Sequence, residues 1–129
     1  MNGLIGHEQA WREWDEALGS ARMHHAWLLA GPKGLGKGLF AQASAACLVA
    51  EPGLTQPDPE HHPDIIVLDH LPANETEEEK KAEGKPYQTR RNITIEQVRR
   101  MQHRLTTRPT LGSRRAVIID PADDLEKNA

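Results

Sequence analysis

The chain has 129 residues, enough for one domain with its own hydrophobic core. With 16 Lys and Arg against 19 Asp and Glu, its net charge of −3 at pH 7 argues against a self-sufficient nucleic-acid-binding protein, because such proteins normally carry a basic excess. The single cysteine, Cys47, excludes an internal disulfide and a cysteine-rich zinc finger. No secretion signal is visible, and no apolar run approaches the roughly 20 residues that span a bilayer, so we predict a cytoplasmic protein without membrane contact.

The first predicted elements are a helix and a buried strand. From His7 to about Ser20, apolar residues recur at steps of three and four, which is typical of an amphipathic helix, and Gly19 ends it. The residues of this stripe are Ala10, Trp11, Trp14, Ala17 and Leu18. The run from Ala26 to Ala30 is continuously apolar, as expected for a strand that is covered on both faces.

A glycine-rich stretch follows that strand directly. It consists of Gly31, Pro32, Lys33, Gly34, Leu35, Gly36, Lys37 and Gly38, and it matches the phosphate-binding loop G-x-x-x-x-G-K-[ST] except at its last position. In that motif backbone N–H groups surround the phosphate oxygens, the lysine reaches the terminal phosphates, and the final hydroxyl binds Mg²⁺. Gly38 offers no hydroxyl. Residues 38–49 predict the helix whose N-terminus would face the phosphates. We therefore predict a P-loop backbone whose nucleotide chemistry has lapsed, with an ordinary glycine-rich turn as the alternative.

The middle of the chain predicts a loop, a strand and an insertion. Residues 51–63 contain four prolines and cannot continue a helix or a central strand. Residues 64–69 are β-branched and bounded by acids, which indicates a second strand. Residues 70–92 are polar and charged, and we expect a mobile insertion there.

The last third predicts a capped helix and a third strand. Thr94 with Gln97 three residues later forms a capping-box pattern, which opens a helix to about Leu105. Residues 116–120 are a buried strand that ends in an acid, and residues 123–128 indicate the start of another helix. Strands and helices in this order predict an α/β fold with a parallel sheet and right-handed crossovers.

The acid at the end of the third strand has a candidate role. In P-loop NTPases of this plan, an aspartate in that place is the Walker B acid, which holds Mg²⁺ through water, and Asp120 occupies the position. A solvent-facing acid at a strand end is the simpler alternative. AAA+ proteins that hydrolyse ATP usually carry a glutamate next, which polarises the attacking water, whereas Pro121 has no group for that work.

Other reactive residue types receive structural interpretations. The histidines, including the pairs at 24–25 and 61–62, follow no zinc pattern, so we expect no metal site and assign His25 to packing beside the first strand. Cys47 is expected to be a small core residue. A basic zone could contact a nucleic-acid backbone or an acidic partner, or could simply be a solvated face. It comprises Arg90, Arg91, Arg99, Arg100, Arg104, Arg108, Arg114 and Arg115.

Four stretches together resemble the clamp-loader AAA+ family of bacterial DNA polymerase III. They are residues 4–10, beginning Leu-Ile-Gly-His; residues 22–37, ending in the glycine-rich loop; His62-Pro63-Asp64 before a strand; and residues 93–99 before a helix. Within the family the chain is most similar to delta-prime subunits, because motor subunits need the two groups that are missing at Gly38 and Pro121.

The resemblance implies a P-loop NTPase fold of the AAA+, RecA-like type, with residues 1–129 forming its N-terminal part, truncated after the third strand. It implies a non-catalytic subunit of the polymerase holoenzyme that helps load the sliding clamp onto primed DNA. The partners would be the delta and gamma/tau subunits, the clamp, and DNA through the assembly. No ATP or Mg²⁺ is expected to be required. Zinc is not expected either, because the four cysteines that many relatives carry between the P-loop helix and the second strand are missing from 51–63.

Two other functions are consistent with the same residues. The alternatives are an active Mg²⁺-dependent AAA+ motor, with Lys37 on the phosphates and Asp120 on the metal, and a small P-loop kinase.

In the AAA+ strand order 5-1-4-3-2, a fourth strand lies between the first and third, and the truncation leaves it out. We therefore expect the piece to associate with another copy or to be marginally stable.

Overall fold

The computed structural model describes residues 7–19, 26–31 and 34–127. The chain forms two compact units. The first unit comprises residues 1–65 and 109–116, and the second comprises residues 66–108 and 117–129.

The first unit is built on two helices, α1 (Glu8–Leu18) and α2 (Lys37–Val49). Trp11 and Trp14 of α1 are buried with Phe40 of α2, and the rings of Trp11 and Phe40 lie 4.6 Å apart between centroids. Burying large aromatic side chains contributes strongly to stability, so the apolar stripe of α1 packs against α2. Both predicted helices are confirmed.

The predicted strand at 26–30 is wrong. The segment has no strand assignment, and the side chains of Trp27 and Leu28 are 40% and 83% exposed. Among the described residues the sheet contains two strands, and neither includes this segment. An apolar run becomes a strand only if another strand satisfies its backbone N–H and C=O groups. In this segment the Trp27 side chain contacts α1 instead: its ring lies edge-on to the ring of Trp14, with 5.2 Å between the centroids.

A parallel pair, β1 (Ile65–Leu68) and β2 (Ala116–Ile119), forms the sheet. At its start the Ala116 N–H donates to the Asp64 carbonyl at 2.9 Å, and at its end the Asp120 N–H donates to the Leu68 carbonyl at 3.0 Å. The second and third predicted strands and the α/β class are therefore confirmed. The three-stranded sheet is corrected to two strands within the described ranges, and the P-loop NTPase assignment stays a prediction.

The second unit contains α3 (Glu75–Ala82) and α4 (Ile95–Arg104). The capping box of α4 is formed as predicted: the Thr94 hydroxyl accepts from the Gln97 N–H at 3.3 Å, and the Gln97 amide oxygen accepts from the Thr94 N–H at 2.9 Å. Ile66, Leu68 and Ile93 are buried at the centre of this unit. The apolar stripe of α4, with Val98 and Met101, packs against them.

Residues 70–92 contain an element that the sequence analysis did not assign. Asn74 caps α3, since its side-chain oxygen accepts from the Glu77 N–H at 3.0 Å. An isolated antiparallel bridge joins Pro72 to Thr89 and closes the base of the segment. We call residues 70–92 the excursion from here on.

The helix predicted to start at 123–128 is also wrong as far as residue 127, because a single 3₁₀ turn stands at Ala122–Asp124. The backbone beyond it is engaged differently: the Ile93 N–H donates to the Asp124 carbonyl, and the Glu126 N–H donates to the Ile93 carbonyl, both at 2.8 Å. Backbone groups used in these bonds are not available to continue a helix. No helix among residues 7–19, 26–31 and 34–127 is long and apolar enough to cross a membrane.

Candidate phosphate-binding loop

Two glycines of the predicted loop adopt conformations that favour glycine. Gly34 and Gly36 have φ values of 86° and 82°, in the left-handed region, and Gly36 directly precedes the first residue of α2. A side chain would be strained at such angles, which explains why the turn into α2 carries glycines. Pro32 and Lys33, which the sequence analysis also placed in the loop, lie outside the described residues.

Lys37 is the first residue of α2, and its ammonium donates to the carbonyl of Gly31 at the other end of the loop. This bond closes the loop on itself. The cation also lies at a helix N-terminus, where unpaired backbone N–H groups and the helix dipole favour an anion. The start of the glycine-rich stretch and the N-terminus of α2 therefore meet at Lys37.

The metal-binding half of the motif has no such group. Gly38 is the second residue of α2 and contributes no oxygen that could bind Mg²⁺, a cation that prefers oxygen ligands. In the part of the chain that the structure describes, no group of three or more His, Cys, Asp or Glu side chains could hold a metal ion. Position 38 therefore lacks the hydroxyl that would hold Mg²⁺ in a complete P-loop.

His7 fastens α1 to the loop, a role that the sequence analysis missed. Its Nε2 lies 2.6 Å from the Leu35 carbonyl, to which it donates, and the residue itself stands at the N-terminus of α1 with φ of 62°. The two residues are 28 positions apart. The only sequence signal was the position of His7 immediately before the amphipathic stripe.

A cavity of about 260 Å³ opens beside the loop within the first unit. Its walls combine aromatic rings with loop backbone, and they include Trp14, Trp27, Phe40, Leu35, Gly36 and Lys37. Part of the wall comes from the exposed segment at 26–30, which the sequence analysis had placed inside a sheet.

Asp120 directly follows β2, as predicted, and its side chain is exposed. Pro121 comes next, so the carboxylate has no neighbouring glutamate. Lys37 belongs to the first unit and Asp120 to the second. The assignment of Asp120 as a Walker B acid stays a prediction.

Comparison with known proteins identifies relatives of the chain. A sequence profile of the family described as "DNA polymerase III, delta subunit" matches residues 6–129. The chain belongs to this family. A curated relative, DNA polymerase III subunit delta' of Pseudomonas aeruginosa, is 28% identical over 127 residues. The match covers 90% of the chain and 34% of that relative, so the chain spans about a third of the relative's length. No solved structure matches the chain significantly.

The predicted resemblance to delta-prime subunits is confirmed by these matches. In this member of the DNA polymerase III delta-subunit family, one other prediction is corrected. Cys47 is exposed on α2 and is not a core residue, because the buried side of that helix is formed by Phe40, Ser44, Ala45 and Val49. His24 and His25 lie outside the described residues.

The basic zone divides into a buried part and a surface part. The Arg115 side chain is only 9% exposed and lies 4.0 Å from the carboxylate of Asp64, so it belongs to the interior of its unit. Arg99 and Arg100 lie on the exposed side of α4. Arg114 is also exposed, in the first unit, so both units carry exposed arginines of the zone, and such cations suit phosphate groups or an acidic partner.

Proposed function

We propose that this chain serves the DNA polymerase III clamp loader as a scaffold subunit of the delta-prime type and turns over no ATP. The family match and the printed name of the Pseudomonas aeruginosa relative support its membership in that polymerase system. The chain spans about a third of that relative's length, and we extend to it the clamp-loader role of a delta' subunit.

The observation that carries the proposal is the incomplete loop at the start of α2. The left-handed glycines Gly34 and Gly36 and the Lys37 cation at the start of α2 support a phosphate-binding loop, while Gly38 offers no side-chain oxygen to a metal. A Mg²⁺ ion held beside the loop would neutralise the negative charge of the terminal phosphates during their transfer. Loss of its protein ligand removes that contribution, and Pro121 removes the residue that would activate water. The fold then contributes geometry to the assembly in place of chemistry.

The partners of this scaffold would be the delta and gamma/tau subunits, the sliding clamp, and primed DNA held by the assembly in the cytoplasm. The exposed arginines of α4 support contact with an acidic surface. Neither zinc nor Mg-ATP has a role in the proposal. The rival is an active motor, which would use Asp120 as a metal-binding acid at the end of β2.

The test compares variants of this protein inside the assembled clamp loader. Lys37→Ala and Asp120→Asn are expected to leave DNA-stimulated ATP turnover and clamp loading unchanged. The matched control is alanine in place of the P-loop lysine of a motor subunit of the same complex, which should abolish that subunit's turnover. If Lys37→Ala in this chain lowered DNA-stimulated ATP turnover by tenfold or more, the result would favour the motor function and reject the scaffold proposal.

A further inference from the structure

The imidazole of His70 is held between two acceptors. Its Nδ1 lies 2.7 Å from the backbone carbonyl of Arg90, and its Nε2 lies 2.8 Å from a carboxylate oxygen of Asp124. Neither an ionised carboxylate nor a carbonyl can donate a hydrogen bond, and a neutral imidazole carries one N–H while the imidazolium carries two. The geometry therefore suits the protonated ring, which alone can donate to both partners at once.

These contacts join three segments of the second unit. His70 and Arg90 stand near the two ends of the excursion, and Asp124 comes from the 3₁₀ turn after β2. The base of the excursion is also closed by backbone bonds: the Arg90 N–H donates to the Leu71 carbonyl at 2.7 Å, and the Ala73 N–H donates to the Gln88 carbonyl at 2.9 Å. His70 is the side chain that connects this base to the turn.

The charges around the ring favour its protonated form. Asp69 faces it from the end of β1, and Asp124 faces it from the turn. The bond to the Arg90 carbonyl raises the pKa of His70; burial opposes this by lowering the pKa, and the bond to Asp124 adds to the rise. The His70 side chain is 20% exposed, so solvent protons can reach it.

We propose that His70 is a proton-dependent latch, which fastens the excursion to the turn at 122–124 when its ring carries both protons. Loss of one proton leaves a single N–H, so either the Arg90 carbonyl or the Asp124 carboxylate loses its donor. The latch is fully formed below the ordinary histidine pKa of about 6.5, and it weakens as the pH rises through the higher value in the folded protein. The excursion is thus held more firmly on the acidic side of neutrality.

The experiment follows the ring and the base of the excursion separately, on the 129-residue chain. Nitrogen NMR shifts of the imidazole report how many protons it carries, and hydrogen exchange of the Arg90 amide reports opening of the base. With Asp124→Asn, which keeps an acceptor and removes the charge, the titration midpoint of His70 is expected to fall. Protection of the Arg90 amide is expected to fall by roughly tenfold near neutral pH. The matched control, Asp123→Asn, changes the adjacent exposed acid and should move neither quantity.

Two outcomes would overturn the latch. One is a single, neutral tautomer of His70 at pH 6 in the unmodified protein. The other is an equal response to Asp124→Asn and Asp123→Asn, which would indicate a general charge effect. A ring protonated on both nitrogens whose titration midpoint falls with Asp124→Asn and not with Asp123→Asn, together with Arg90 protection that declines as the ring titrates, would support it.

Discussion

A buried carboxylate holds the loop at 109–113 to the start of β1. Asp64 is 1% exposed, and its two oxygens accept from the N–H groups of Thr110 at 2.5 Å and Leu111 at 2.7 Å. Burial raises the pKa of Asp64, but the two backbone bonds and the nearby His62 and Arg115 outweigh it, so the pKa lies below its ordinary value. The ionised form is therefore the one that the fold requires.

Replacing this carboxylate should destabilise the protein in a pH-dependent way. Asp64→Asn removes the charge and turns an N–H₂ group towards backbone donors, so we expect a loss of about 1–3 kcal/mol in the free energy of unfolding at pH 7. Because the folded pKa is lowered, the contribution of Asp64 is present above the unfolded value of about 3.9 and is lost as the pH falls through the folded value. Urea unfolding from pH 7 to pH 2 measures both.

The control for this experiment is Asp58→Asn in the same unit. Asp58 is exposed, and its side chain makes no capping bond to the 3₁₀ turn that follows it. We expect a change within about 0.5 kcal/mol, as for surface substitutions in general. Equal effects of the two variants at pH 7 would contradict the role assigned to Asp64.

Local sequence patterns correctly predicted those helices and strands whose formation depends on neighbouring residues in the chain. The capping box at Thr94 and the β-branched runs of β1 and β2 correspond to observed elements. The run at 26–30 has the same apolar character, yet it forms no strand, because strand pairing depends on residues elsewhere in the chain.

Sequence patterns do not predict side-chain contacts between residues that are far apart in the chain. Asp64 bonds to a loop 46 and 47 residues away, and His70 meets Asp124 at a separation of 54 residues. Composition shows an acid beside a strand and a histidine in a polar segment, but it does not show which distant groups they meet. The candidate loop was found because its glycines, lysine and helix are consecutive.

The start of α4 offers a test of one such local signal. Thr94→Ala removes the hydroxyl that accepts from the Gln97 N–H, and we expect a loss of about 1 kcal/mol in thermal or urea unfolding. Thr94→Ser is the matched control, because serine keeps the hydroxyl and should retain most of that stability. A serine variant as unstable as the alanine variant would mean that the Thr94 methyl group, and not the cap, is responsible.

At the scale of the whole molecule, the exposed segment at 26–30 predicts self-association. Leu28 is 83% exposed beside the half-exposed ring of Trp27, and neither strand of the described sheet pairs with this backbone. Exposed apolar side chains on backbone that no strand pairs with favour contact with another chain. We expect sedimentation over a concentration series to show reversible association that Leu28→Glu weakens.

Leu54→Glu is the matched control, since Leu54 is 52% exposed in a loop of the same unit. It adds the same charge and should leave the association unchanged. A protein that stays monomeric at all concentrations, or that responds equally to both variants, would contradict a role for the 26–30 segment.

The proposed function depends on a phosphate-binding loop without a metal ligand, and ATP binding with and without Mg²⁺ decides whether the chain has one. Gly38 lies within α2, where threonine is tolerated at no helix-propensity cost relative to glycine, so Gly38→Thr restores the missing hydroxyl. We expect the native chain to show no Mg²⁺-dependent binding below about 1 mM, Gly38→Thr to gain it by about tenfold or more, and Lys37→Ala added to that variant to abolish the gain. Binding by the native chain that requires both Mg²⁺ and Lys37 would contradict the account and identify an active nucleotide site.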